Sequence, residues 1–240
     1  MEVTFLGTGT SQGVPVIGCD CEVCTSSDPK DNRLRTSVHL QIGTLSVVID
    51  TGPDFRTQML RENINRLDAV LFTHEHKDHI AGFDDIRPFY FLQAKAMDVY
   101  ATTRVQNALK KAFDYIFEEY RYPGVPEVNL HTISDKPFLV NGVEFIPLPV
   151  MHKNLPVTGF RVGDFTYITD ASYIYPEVIH QVKYTKVLVL NALRIQSHYS
   201  HFNLEEALRM IEVIQPEEAY LIHIAHSLGL HEKVENALPK

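Results

Sequence analysis

Three imidazoles and a carboxylate fall within six positions of one stretch, Leu71-Phe72-Thr73-His74-Glu75-His76-Lys77-Asp78-His79. The apolar run Ala69 to Phe72 predicts a buried strand that opens into this stretch. His74 and His76 are two apart, so at the end of an extended segment they project to the same side. Asp78 and His79 follow at once, with Asp78 placed to start a helix that Ile80, Phe83 and Ile86 continue. A strand end, a tight loop and a helix start thus gather four side chains of metal-ligand type. Imidazole and carboxylate suit borderline divalent ions such as zinc, and carboxylate also suits manganese. A polar loop with chance histidines is the bland alternative, but H-x-H-x-D-H is far more specific than a lone histidine pair.

All three cysteines of the chain lie in a second cluster, Gly18-Cys19-Asp20-Cys21-Glu22-Val23-Cys24. An odd number in one place is not a disulfide framework. Three thiolates this close suit one tetrahedral zinc that takes its fourth ligand from elsewhere. The rivals are a Cys21-x-x-Cys24 redox pair with Cys19 a bystander, and plain free thiols. Redox pairs usually open a helix, whereas here a loop precedes and the charged segment 28–35 follows.

Further candidates sit singly at the ends of predicted apolar strands. Leu45 to Asp50 ends in Asp50, Val143 to Val150 delivers His152, Phe165 to Thr169 delivers Asp170, and Glu218 to Ile222 delivers His223. Taken alone, each has an ordinary reading as a turn former or a satisfied core residue. Independent structural residues would not recur at strand ends in this way. His198 and His201 lie in a loop after the strand Lys186 to Leu190, just before a helix capped by Asn203 with Glu206 in the capping-box position. His39, His131, His180 and His231 default to surface or satisfied core positions.

The remaining elements must hold these groups in place. Val3 to Leu6 reads as a strand running into Gly7-Thr8-Gly9-Thr10-Ser11-Gln12-Gly13. This is neither G-x-G-x-x-G nor a phosphate loop with its Lys, so it reads as a glycine-rich loop whose backbone can approach a site closely. Ser37 to Ile42 and Leu45 to Asp50 form a hairpin around Gly43-Thr44. Asp54 to Glu62 reads as a surface helix, and 84–117 as helix, short strand and helix. The aromatic stretch at about 114–127 reads either as an amphipathic core helix or as a lid or homodimer contact.

At 240 residues, with 45% hydrophobic and 22% charged residues, the chain has an ordinary globular composition. A formal charge of -8 argues against a broad nucleic-acid surface. It leaves room for a small phosphorylated substrate, because bound divalent ions dominate a local field. No signal peptide or membrane span is read from the sequence, so a cytoplasmic protein without membrane partners is expected.

His74-x-His76-x-Asp78-His79 resembles the signature of the metallo-β-lactamase fold, a superfamily of mostly dinuclear metallohydrolases. Gly-x-Gly-x-x-x-Gly, then C-x-C-x-x-C, then the histidine motif, with His223-Ile224-Ala225-His226 near the C-terminus, narrows the resemblance from about Val3 to Pro239. The branch it is similar to contains the phosphoribosyl 1,2-cyclic phosphate phosphodiesterases of the carbon–phosphorus lyase pathway. That resemblance implies one α/β domain over residues 1–240, a four-layer αββα sandwich of two mixed sheets with helices outside. It implies that His74, His76 and His152 hold one divalent ion, that Asp78, His79 and His223 hold a second, and that Asp170 bridges them, with zinc or manganese bound. Cys19, Cys21, Cys24 and His226 would hold a structural zinc in a loop at about 18–26. Asp50 would support a metal-bound histidine, and Thr10, Ser11 and Gln12 would lie near the substrate. The implied reaction is attack by a hydroxide bridging the ions on a small phosphodiester of phosphoribosyl type, with Asp78 and His201 catalytic and His201 serving the leaving alkoxide. Relatives in this branch carry a further segment with a final strand beyond the position of Lys240.

Two other classes fit the scaffold. A tRNA 3′-processing nuclease would want basic surface, and a glyoxalase II-type thioesterase would lack the cysteine cluster. A cofactor-biosynthesis protein resembling the pyrroloquinoline quinone synthesis B protein shares the cysteines but has an incomplete active-site metal set, whereas all of those positions here carry competent ligands.

Overall fold

The computed structural model describes residues 1–120 and 122–239. Its contacts divide into two compact units, one of Met1–Gly7 with Thr36–Pro147 and the other of Thr8–Arg35 with Leu148–Lys240.

The first unit is built on a six-stranded sheet in the order β1 to β6, comprising β1 (Glu2–Gly7), β2 (Ser37–Ile42), β3 (Leu45–Ile49), β4 (Ala69–Leu71), β5 (Met97–Ala101) and β6 (Val128–Thr132). The first three pair antiparallel, and β3 to β6 run parallel. Every residue of β3 and β4 is buried. That is why both read as unbroken apolar runs without alternation, as expected of parallel strands covered on both faces. Helices α1 (Phe55–Arg61), α3 (Arg87–Gln93) and α4 (Thr103–Ala112) supply Phe55, Met59, Phe89, Val105 and Leu109 to a core shared with Val48, Val70, Phe72 and Val99 of the sheet region. Each such side chain withdrawn from water contributes roughly 1.5–3 kcal/mol.

The second sheet has seven strands, in the order β11-β8-β9-β10-β12-β13 with β7 paired to β8. These are β7 (Phe138–Val140), β8 (Val143–His152), β9 (Leu155–Val162), β10 (Phe165–Ile168), β11 (Tyr173–Ile174), β12 (Val187–Asn191) and β13 (Glu218–Ile222). β10, β12 and β13 run parallel. Helices α6 (Pro176–Val182), α7 (Leu204–Ile214) and α8 (His231–Ala237) belong to the same unit. α7 opens with a complete capping box. The Asn203 carboxamide oxygen accepts from the Glu206 backbone N–H, and the Glu206 carboxylate accepts from the Asn203 N–H.

Two expectations are corrected. The helix after the histidine motif, α2 (Lys77–Ile80), has His76 at its N-cap, so Asp78 lies inside the first turn instead of starting it. The aromatic stretch is not a long core helix. Only Asp114–Phe117 is helical (α5), Ile116 is its buried residue, and Tyr120 and Tyr122 are exposed by 89% and 56%. Arg121 of that stretch lies outside the described residues. No helix among the described residues is long and apolar enough to cross a membrane.

Candidate metal centre

In the first unit the ladder itself places the histidine motif. β4 is hydrogen-bonded between β3 and β5, and beyond its last residue the Asp50 and Phe72 N–H groups donate to Leu71 and Tyr100 at 2.9 and 3.0 Å. Asp50 therefore sits beside the start of the motif, fully buried. Its carboxylate accepts from the Thr73 backbone N–H at 2.9 Å, from the Thr73 hydroxyl at 2.8 Å and from His79 Nδ1 at 2.7 Å. Burial pushes the Asp50 carboxyl above its ordinary range, and the nearby His79 and Thr73 oppose that rise.

These bonds fix which nitrogen each imidazole offers. His79 donates from Nδ1 to Asp50, which leaves Nε2 as a lone-pair donor, 3.2 Å from Asp78 Oδ2. The Thr73 hydroxyl gives its proton to Asp50 and so accepts from His74 Nδ1, at 3.0 Å. His74 Nε2 then faces His76 Nδ1 at 3.0 Å. His74, with its Nδ1 committed to Thr73 and its Nε2 converging on His76, thus has the outer support usual for a metal-bound histidine.

The second unit repeats the logic. His152 Nδ1 donates to the carbonyls of Asp170 and Ser200 at 3.0 and 2.7 Å, leaving Nε2 available. Asp170 Oδ1 lies 3.1 Å from both His201 Nε2 and His223 Nε2. Ligand atoms of His152, Asp170 and His201 all lie within 4.8 Å of one another. The Thr169 hydroxyl donates to Asp170 Oδ2 at 2.6 Å, and the Asn191 carboxamide clamps the Ala171 backbone through both its N–H and its carbonyl, at 2.7 and 3.0 Å. Thr10 is buried, and its N–H donates to Ile224, the residue after His223, while Ser11 and Gln12 are exposed. His201 thus contacts the acidic ligand candidate directly. His198 stands one step out, with its Nδ1 3.1 Å from His201 Nδ1.

Asp50, Asp170 and His223 share a feature that no sequence pattern announces. Each is a non-glycine residue in the left-handed region, at φ 65°, 58° and 56°. Such backbone costs of order 1–3 kcal/mol per residue and persists where surrounding structure holds it. Here it turns each carboxylate or imidazole off the end of a strand. Thr73, Ser200 and Asn191 were likewise beyond sequence reasoning, because their role is to orient another side chain.

The cysteine cluster lies wholly in the second unit. Sγ of Cys19, Cys21 and Cys24 stand 3.3, 3.3 and 3.4 Å from His226 Nδ1. These distances are near the edge of a tetrahedron with Zn–S of about 2.3 Å and Zn–N of about 2.0 Å. The Cys24 backbone N–H, and next His226, pull the Cys21 thiol down to about 6, while burial pushes Cys24 up to about 11. Three sulfurs and one nitrogen packed together in this way fit a thiophilic cation, and the chain has the capacity to bind metal here and at the His/Asp groups.

Residues 46–224 match the beta-lactamase superfamily domain. A solved diphosphatase from the PhnP family is 40% identical, with a TM-score of 0.93 over 99% of this chain and 92% of that one. The zinc-bound PqqB structure from Methylobacterium extorquens is 16% identical, with a TM-score of 0.79 over 99% of this chain and 95% of that one, a likeness of fold. Among curated proteins, an octanoyltransferase of Porphyromonas gingivalis is 39% identical over 242 residues, covering 100% of this chain and 49% of that protein. The chain spans about half the length of the curated relatives it matches.

Proposed function

Because the chain belongs to the metallo-β-lactamase superfamily, and within it to the PhnP family, we propose that it is a dinuclear metal-dependent hydrolase that cleaves a small phosphodiester. The observation that carries this reading is the set of imidazoles whose second nitrogen is already committed to protein, His74, His79 and His152, each beside a further candidate ligand. We assign His74, His76 and His152 to one ion, Asp78, His79 and His223 to the other, and Asp170 to both, with zinc or manganese bound and the two units acting as one domain. Cys19, Cys21, Cys24 and His226 would hold a structural zinc. When bound, two such ions supply a nucleophile at neutral pH and neutralise charge on a phosphate.

The chain's own groups do the rest. Asp50 keeps His79 in one tautomer, Thr73 does the same for His74, and the carbonyls of Asp170 and Ser200 do so for His152. His201 Nε2, beside Asp170, holds the proton that the departing alkoxide needs. Thr10 lies on the loop next to His223 and borders the substrate. The relative named a diphosphatase supports phosphorus as the centre attacked. The octanoyltransferase name stays with a protein of which this chain matches about half.

Hydrolysis of bis(p-nitrophenyl) phosphate by metal-stripped protein reloaded with zinc or manganese tests the reading, with Asp78→Ala and His201→Ala alongside. Turnover should require metal and Asp78. His201→Ala should lose far more rate on an alkyl leaving group than on p-nitrophenolate, which leaves without a proton. Metal bound with no turnover on any phosphodiester would sink the proposal. The curated relatives named coenzyme PQQ synthesis protein B favour a second reading, a metal-binding biosynthetic protein. Counting bound ions separates the two, since a hydrolase needs three per chain and the alternative needs one.

A further inference from the structure

The two metal-ligand groups of the second unit share one short stretch of chain. His223 Nε2 lies 3.1 Å from Asp170 Oδ1, and three positions later His226 Nδ1 meets the thiols of Cys19, Cys21 and Cys24. The two residues between them are pinned by their backbones. The Ile224 N–H donates to the Thr8 carbonyl at 2.8 Å, and its own carbonyl accepts from the Thr10 N–H at 3.0 Å. The Ala225 N–H donates to the Leu193 carbonyl at 2.9 Å. Ile224 is buried, and it forms a parallel bridge with Gly9.

The glycine-rich loop is in turn tied to the cysteines. Val14 and Arg33 exchange both backbone hydrogen bonds, at 2.9 and 2.7 Å. Two residues on, the Val16 N–H donates to Cys24 Sγ at 3.3 Å, and the Val16 carbonyl accepts from the Cys19 N–H at 3.0 Å. The path therefore closes on itself. It runs from Cys24 along residues 8–16 to Ile224, on to His226, and back to the thiols, all within the second unit. Three thiolates repel one another and gather fully only around a cation. With a cation in place the closed path has no slack, and without one it gains some.

His223 depends on that support. Its backbone is left-handed, at φ 56°, a conformation that a residue with a side chain keeps only where its surroundings hold it. Ile224 is the next residue, so whatever fixes Ile224 fixes the imidazole of His223.

We propose that the cysteine cluster sets the position of His223: a cation held by Cys19, Cys21, Cys24 and His226 draws the closed path tight and strengthens binding of the ion that His223 holds. The inference rests on the metal assignments above and adds an order of loading to them. The thiolate site fills first, and the His223 ion follows. Ile224 and His226 are positioning residues in this scheme.

Stepwise manganese dissociation constants, read by electron paramagnetic resonance on the full chain, test it. Wild type carrying one zinc per chain, with its thiols shielded from a thiol reagent, is compared with zinc-free Cys24→Ser. His223→Ala identifies the constant that belongs to the His223 ion. That constant should weaken about tenfold in Cys24→Ser, an ordinary size for coupling between two sites, while the other stays within about twofold. Loss of both alike, or of neither, overturns the proposal. His226→Cys, which offers a fourth thiolate, should keep most of the affinity that His226→Ala loses. Coupling of this kind is reciprocal. In wild type, saturating manganese should therefore tighten zinc at the cysteines by the same factor, and an unmoved zinc affinity overturns the scheme without any variant. If no manganese binds at the His/Asp groups, the hydrolase reading fails separately. Imidazole resonances of nitrogen-15-labelled protein then decide: zinc at the cysteines should move those of His223 and leave those of His152 in place, and a His223 ring that does not respond overturns the positioning role.

Discussion

Asp50 shows how much of the site depends on a residue placed behind the ligands. Asp50→Asn keeps the shape but presents an amide where His79 and Thr73 donate to a carboxylate. The expected outcome is a loss of about 10–100-fold in metal affinity, read by competition with a chromogenic chelator, with the fold retained by circular dichroism. A ligand role for His79 would be refuted by unchanged affinity. His39 makes a separate statement about pH. It is buried, its Nε2–H donates to Ser46 Oγ at 2.8 Å, and burial lowers its pKa below 6.5. A histidine depressed in the folded state binds its proton more readily when unfolded. Stability from this group is thus full above about pH 6.5 and is lost as pH falls from there toward the lower folded value. His39→Gln should flatten urea stability between pH 7 and 5, and an unchanged slope would show that other groups set it. At this scale the motif His74 to His79 was legible because its chemistry is written in adjacent positions. Thr73, Ser200 and the left-handed turns at Asp170 and His223 were not, since they act only once distant segments meet.

The elements carry the site by where they stop. β3 and β4 end level with each other, and the turn after α2 returns against that edge, with the Thr51 N–H donating to His79 and the Gly82 N–H to Thr51 at 2.8 and 2.9 Å. A Cβ added at Gly82 would meet the Gly52 carbonyl oxygen at 2.1 Å. Gly82→Ala should destabilise the chain by about 1–3 kcal/mol and weaken metal binding too, because the displaced loop carries Asp50. Equal metal affinity in a folded Gly82→Ala protein would separate the turn from the site. Strands with unbroken apolar runs and the Asn203 capping box could be read in advance. Strands β6, β7, β9 and β11 had no such signature. They are short or carry exposed residues, and β6 and β11 pair with strands not joined to them by a tight turn.

For the whole molecule, metal is expected to be part of stability as well as chemistry. Cys24→Ser should release one ion per chain by elemental analysis and lower stability by about 3 kcal/mol, or ~6–12 °C in Tm, with the remaining ions still bound. A full metal complement in Cys24→Ser would refute the cysteine site. The general outline, a metallo-β-lactamase fold with candidate His/Asp ligands at strand ends, was visible in the sequence. The division into two units, each assembled from separated segments, was not, because nothing in composition or spacing marks residue 8, 36 or 148 as a boundary. That division bears on how the chain is made. Cys19 and its partner His226 are 207 positions apart. At translation speeds of about 5–20 residues per second, the thiols emerge roughly 10–40 s before the imidazole that completes their cluster. For that interval the newborn protein carries three uncommitted sulfurs and a second unit that lacks its later strands. The cysteine cluster therefore cannot be completed before the segment carrying His226 has been made, and metal supplied during synthesis is expected to raise the yield of folded chain.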